Sequence, residues 1–211
     1  MNESKLIALK ENQAELDESS IIKAIRHFHL KGISKDNITL SEKEKEIISI
    51  HEAGHAIVGH YFANKKIGEI SICPTTSGAG GYTQTEPKGN DNLIYFEEVF
   101  GDIVMLLGGK AAESVMSGGS DKVSLGSDED INIATRLAMG YVKFQSGIDY
   151  SQFGTSGTAA LMQESKKVLD VAYEKAIETV TKFKKKILLI SSELIKNESI
   201  SGERFLSIVT K

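Results

Sequence analysis

A chain of 211 residues with 40% hydrophobic and 26% charged residues can build one good core and is too short for two full domains. Its formal charge of -4 argues against broad attraction to nucleic acid or anionic lipid, and the one basic run, Lys182 with Lys184, Lys185 and Lys186, reads as a solvated helix end. Cys73 is the only cysteine, which excludes an intramolecular disulfide and a thiolate metal cluster.

Met1 to Lys10 lacks the apolar core of a signal peptide. Apolar runs such as Ile103 to Leu107 fall far short of the ~20 residues that span a bilayer. No membrane anchor is therefore expected in this chain, and a reducing cytoplasm is the expected location. Ile21, Ile22, Ala24, Ile25 and Phe28 recur at helical spacing, which predicts a helix ending before Gly32. Lys31 to Thr39 reads as a polar connector. A second helix begins near Ser41, where Ser41 and Glu44 supply a capping box, and runs through His51, Glu52 and His55 to about Tyr61.

The period then changes. Ile67, Ile70 and Ile72, followed by Gly80 to Thr85 after a Gly/Ser/Thr-rich turn, predict two short strands in a hairpin with a wide loop. From Leu93 to Met116 the pattern is helical again, with Gly108 and Gly109 inside it. A glycine there costs about 1 kcal/mol unless close packing needs it. Another helix starts near Ser127 and carries Ile131, Ala134, Leu137, Ala138 and Tyr141. The polar loop from Gly147 to Gly157 leads to a long helix striped with Leu169, Ala172, Ala176, Val180 and Phe183. Ile187 to Leu194 and Glu203 to Val209 suggest two more. The expected fold is mostly α with a small β-hairpin or sheet.

His51-Glu52-Ala53-Gly54-His55 matches H-E-x-x-H. Positions four apart on a helix differ by about 40°, so both imidazoles project from one face and can share one Zn2+. Glu52 then stands beside the metal without ligating it, where it can take a proton from an activated water and pass it to a leaving amine. The motif is short, and a surface helix with two histidines and an ion-paired Glu would read the same way. Small Ala53, Gly54 and Ala56 favour the metal, because they let another element pack against the motif.

A catalytic zinc takes three protein ligands and keeps one position open. His60 resembles the last histidine of a three-histidine motif but is one residue out of place, which points it away from His51 on a continuous helix. It reads as structural. His27 and His29 have no spacing argument. Asp128, Glu129 and Asp130 open a helix, where acids are favoured for capping and dipole reasons alone, and Ser127 is placed to cap it. Glu113 is a further candidate. Spacing does not separate these carboxylates.

Several blocks in one unbroken order carry a resemblance: Ser41 to Lys45 leading into His51 to Ala56, then Gly81-Tyr82-Thr83, then Leu107-Gly108-Gly109-Lys110-Ala111-Ala112-Glu113, Asp130 to Ala138, Ala172 to Ala176, and Ile200 to Glu203. From about Leu40 onward the chain resembles the peptidase domain of FtsH-type membrane zinc proteases. The resemblance implies Zn2+ as cofactor, with Asp130 as third ligand beside His51 and His55, and Glu113 outside the direct ligands. Where the family has Ser-Asn-Asp this chain has Asp128-Glu129-Asp130, which keeps the ligand and adds acid beside it. The resemblance also implies a substrate-binding edge strand near Gly80, Gly81, Tyr82 and Thr83, and assembly as a hexamer.

FtsH-type proteases carry a membrane anchor and an ATPase module, and neither is found in this sequence. No phosphate-binding loop occurs, since Gly109-Lys110 precedes Ala111 and Val104 stands where the first glycine belongs. Asp17 to Leu30 faintly resembles the last helix of such a module. The expected organisation is an N-terminal helical segment and connector over 1–40 and a zinc metallopeptidase domain over 41–211. The expected activity is endoproteolysis of unfolded or loosely folded polypeptides, indifferent to ATP in the isolated chain unless a partner ATPase acts in trans. Two rivals are a catalytically silent adaptor with the same fold and a structural zinc site, the latter needing a fourth protein ligand that is not evident.

Overall fold

The computed structural model describes residues 40–74, 80–86, 95–119 and 123–210. The expected N-terminal helix, the connector, His27, His29 and the stretch Asp17 to Leu30 lie outside these residues. Helix α1 spans Glu42–Tyr61. Ser41 holds extended backbone, its hydroxyl accepts from the Glu44 N–H at 3.3 Å, and its own N–H donates to Glu44 Oε2 at 2.8 Å. The capping box read from the sequence is therefore made, an arrangement typically worth about 1 kcal/mol. The second half of α1 is enclosed, with Ala53, Ala56, Ile57 and Val58 fully buried. A side chain on Gly54 would place its Cβ 2.5 Å from the Gly108 carbonyl oxygen, so glycine is what lets the two segments meet.

Strands β1 (Ile67–Ser71) and β2 (Tyr82–Thr85) pair antiparallel, with Ser71 opposite Tyr82 and Ile70 opposite Thr83. The expected hairpin gains a third strand, β3 (Ser199–Ser201), antiparallel to β1, giving the order β2-β1-β3. Three residues are too few for the sequence to announce a strand. They pair because Glu198 closes the preceding helix in the left-handed region, φ 62°, and turns the chain back onto β1. Strand β2 is left at the sheet edge beside α1.

The helix expected from Leu93 to Met116 is two helices, α2 (Phe96–Leu106) and α3 (Gly108–Ser117). Leu107 breaks the run at ψ -4°. The break turns α3 so that Gly108 lies against Gly54 and Val58, and Gly109 against the two motif histidines. Next come a 3-10 turn (Leu125–Ser127), α4 (Asp128–Ser146), a second 3-10 turn (Tyr150–Phe153) and α5 (Gly154–Lys182). Helix α5 starts four residues earlier than the polar composition of Gly147 to Gly157 suggests. Helices α6 (Lys184–Asn197) and α7 (Gly202–Val209) complete the described chain. One core, including Ile57, Ile70, Ile103, Ala138, Ala176, Ile190 and Phe205, joins the sheet to the helices, with α1 packed against α3 and α6. No helix among the described residues is long and apolar enough to cross a membrane.

Candidate metal centre

One turn of α1 separates His51 from His55, and their rings meet edge to face with centroids 4.6 Å apart. Each ring is oriented by a partner at Nδ1. His51 Nδ1 lies 2.7 Å from Glu113 Oε1 on α3, and His55 Nδ1 lies 2.8 Å from the Met105 carbonyl at the end of α2. Both acceptors take an N–H, so both Nδ1 atoms carry the proton and both Nε2 atoms present a lone pair. The Met105 carbonyl is available because of the break at Leu107; in an unbroken helix it would face the N–H four residues on.

The two Nε2 atoms are 2.9 Å apart, and Asp130 Oδ2 lies 3.1 Å from one and 3.2 Å from the other. Three electron-pair donors at these separations repel unless a cation sits among them. Donors about 2.0–2.1 Å from a tetrahedral Zn2+ lie about 3.3 Å from one another, so the set fits that ion. These are the three residues that the structure groups as a possible metal site among those described. Without a metal a proton must serve. Burial opposes the His51 imidazolium, but bonds to Asp130 and Glu113 outweigh it and raise its pKa to about 10. Burial likewise opposes the Asp130 carboxylate, and the two imidazoles overcome it and hold it well below the usual range.

Helix phase separates the acids that spacing could not. Asp128 accepts from Asn132 Nδ2 at 3.2 Å, and Glu129 pairs with Arg136 at 3.8 Å on the exposed side. Only Asp130 of the three turns to the histidines. The expected Ser127 cap is not made. That residue ends a 3-10 turn with backbone already near-helical, φ -79° and ψ 3°, and a side-chain cap needs extended backbone. Its hydroxyl is buried with no hydrogen-bond partner among the described residues. Glu113 is buried and bonds twice, to His51 and to the Ser124 N–H at 2.7 Å. Burial raises its pKa, but these donors prevail and keep it ionised. His60 lies apart, edge-on to Tyr61 and Phe205.

Glu52 is buried with its carboxyl beside the histidines. Burial pushes its pKa up, offset in part by the imidazoles and by Thr83. Thr83 Oγ1 stands 2.9 Å from Glu52 Oε2 and 3.0 Å from the Glu52 carbonyl. Gly80 and Gly81 lead into β2 and do not belong to it, a small shift from the expected strand. A cleft of about 1060 Å³ runs past the three donors, Glu52, Gly80 to Thr83, Met105 and Leu137. The sequence reading missed Thr83 as a partner of Glu52, the Met105 carbonyl, and Gly109, whose Cβ would come within 2.6 Å of both imidazoles. The i, i+2 alternation of a strand puts Gly81 and Thr83 on one face, a signal that was available.

The model of Peptidase family M41 matches residues 38–152, more than half of the chain. The ATP-dependent zinc metalloprotease FtsH of Helicobacter felis is 28% identical over 233 residues, covering 100% of this chain and 36% of that protein. FtsH 1 of Petrotoga mobilis is 30% identical over 231 residues, covering 100% of this chain and 35% of the relative. The chloroplastic FTSH 7 of Arabidopsis thaliana is 38% identical over 144 residues, covering 65% of this chain and 18% of the relative. The chain thus spans about a third or less of the length of these curated relatives. It belongs to peptidase family M41.

Proposed function

We propose that the chain is a zinc-dependent endopeptidase in which His51, His55 and Asp130 hold the metal and Glu52 is the general base. The convergence of two imidazole Nε2 atoms and one carboxylate oxygen within 3.2 Å, with a buried carboxyl alongside, carries this reading. The relatives are named zinc metalloproteases, and the donor set suits that ion. Zn2+ bound here supplies Lewis acidity, which polarises a peptide carbonyl and lowers the pKa of a water to about 7. Glu52 then takes a proton from the attacking water and passes it to the departing amine. Burial favours that exchange, because it brings the carboxyl's affinity for a proton closer to that of its partners.

Strand β2 is an edge whose residues border the cleft, so an extended polypeptide can pair with it through backbone bonds and with little sequence preference. The substrates are unfolded or loosely folded polypeptides, and the 211 residues carry no phosphate-binding loop to couple ATP to unfolding. Assembly as a hexamer and a partner ATPase acting in trans belong to the same proposal. A silent adaptor has no need of a buried, doubly contacted Glu52, and that residue disfavours it.

The test combines metal analysis with hydrolysis of a disordered protein and of a stable folded one, each with and without ATP. Roughly one zinc per chain, ATP-indifferent cleavage of the disordered protein only, and an inert Glu52→Gln that keeps its zinc are the expected results. Release of zinc by Glu52→Gln, or ATP-stimulated destruction of the folded protein by this chain alone, would overturn the corresponding part.

A further inference from the structure

Strand β2 and Gly81, which leads into it, both close on the Glu52 side chain. Thr83 Oγ1 lies 2.9 Å from Oε2 and 3.0 Å from the carbonyl of the same residue. Gly81, two residues earlier on the same face, is so close that a Cβ there would stand 2.9 Å from Glu52 Cγ, 2.9 Å from Ile48 Cγ2 and 2.7 Å from the Ser71 carbonyl oxygen. Backbone pairing of Tyr82 with Ser71 and of Thr83 with Ile70 fixes the strand against β1. No hydrogen bond among the described residues engages Oε1.

We infer that Thr83 is a positioning residue for the general base: its hydroxyl fixes Oε2 of Glu52 and leaves Oε1 as the oxygen that takes the proton from water and returns it to the amine. The inference rests on the peptidase reading and assigns the Thr83 side chain to the enzyme's own carboxyl instead of to substrate.

A carboxylate on a freely rotating arm presents either oxygen, in many directions, to the water. A hydroxyl donating to Oε2 removes that freedom before substrate arrives, and positioning of this kind lowers barriers with no new contact to substrate. The hydroxyl is suited to a group that changes charge. It donates to Oε2 when Glu52 is ionised, and can turn its hydrogen to the Glu52 carbonyl when the carboxyl is protonated. The proton balance is closed: one proton leaves the water, resides on Oε1 and departs with the amine. Neither Oε2 nor Thr83 gains or loses one. Because β2 is also the edge offered to substrate, the element that aligns the peptide is the one that aligns the base.

The experiment compares zinc-loaded wild-type chain with Thr83→Val, Thr83→Ala and Thr83→Ser on a disordered protein substrate. Zinc content and folded fraction are measured alongside, and the 13Cδ resonance of labelled Glu52, assigned with Glu52→Gln, is recorded without turnover. Thr83→Val is expected to lose about ten-fold to a hundred-fold in kcat, with KM within about two-fold and zinc retained. Its Glu52 carbon should shift. Thr83→Ser should restore both readouts. Unchanged kcat, a rise in KM alone, or an unmoved Glu52 carbon overturns the inference. Loss of zinc or folding in both Thr83→Val and Thr83→Ala makes the residue structural and overturns it too. An inert wild-type chain whose Glu52 carbon still responds to Thr83 refutes the peptidase reading and, separately, leaves the contact standing without a catalytic role.

Discussion

Glu113 receives the Nδ1–H of His51 at 2.7 Å on one carboxylate oxygen and the backbone N–H of Ser124 at 2.7 Å on the other. One buried side chain on α3 thus holds the first histidine of the motif and the segment that leads into Asp130. Glutamine in its place can offer a single acceptor oxygen, so one of the two donors meets an amide N–H. Glu113→Gln is therefore expected to keep the fold and weaken zinc binding about 10- to 100-fold, the usual range for a carboxylate behind a ligating histidine. Asp130→Asn, which removes a donor itself, should weaken it further. Asp128→Asn and Glu129→Gln should leave it unchanged, because those side chains engage Asn132 and Arg136. Competition with a chromophoric chelator measures all four. Equal losses at Asp128 and Asp130 would remove the assignment.

Gly109 and Gly140 make a paired test of close approach. A Cβ on Gly109 would lie 2.5 Å from His51 Cε1 and Nε2 and 2.6 Å from His55 Nε2, whereas one on Gly140 meets nothing within 4 Å among the described residues. Gly109→Ala is expected to lose the metal, since both rings must leave the position that Asp130 faces. Gly140→Ala, inside α4 and open to solvent, should gain up to about 1 kcal/mol from helix propensity, a rise of about 2–4 °C in Tm, with zinc unaffected. Retention of full zinc affinity by Gly109→Ala would show that the rings move freely, against the packing described.

The parts of this site that the sequence disclosed are those whose geometry is local. His51 and His55 are set by helix pitch, and the Ser41 and Glu44 box by three residues of chain. Asp130 was not readable from spacing, since 79 residues separate it from His51 and its two acidic neighbours share its chemistry. Helix phase after a 3-10 turn decides among them, and resemblance named it before geometry could. The break at Leu107 is masked by helical apolar periodicity that continues across it, and its one composition signal, the pair Gly108-Gly109 that follows, reads equally well as close packing. Its cause is tertiary: α3 must bring two glycines against α1. Strand β3 pairs only because Glu198 turns the chain, so a three-residue segment escaped a pattern that needs several alternations.

His60 allows a test of pH dependence away from the metal. It sits in the last turn of α1, edge-on to Phe205 at 5.5 Å. Burial lowers its pKa below 6.5, the nearby Lys186 ammonium lowers it further, and a backbone bond to Lys65 offsets only part. The unfolded chain therefore binds a proton at His60 more readily than the folded one. For a histidine depressed in the folded state, the associated stability is present above the unfolded pKa of 6.5 and is lost as pH falls through the folded value. Lys186 is held in place, since it also donates to the Val209 carbonyl and to the Tyr61 hydroxyl, so its charge does not swing away on acidification. His60→Gln removes the titration. The variant is expected to lose less Tm than the wild type between about pH 7.5 and about pH 5.5, whatever its stability at neutral pH. Other acid-sensitive groups, the metal site included, are common to both chains and cancel in the difference. Thermal melts of the two chains across that window measure it. Parallel Tm curves would show that His60 titrates alike in both states and is not held neutral by its surroundings.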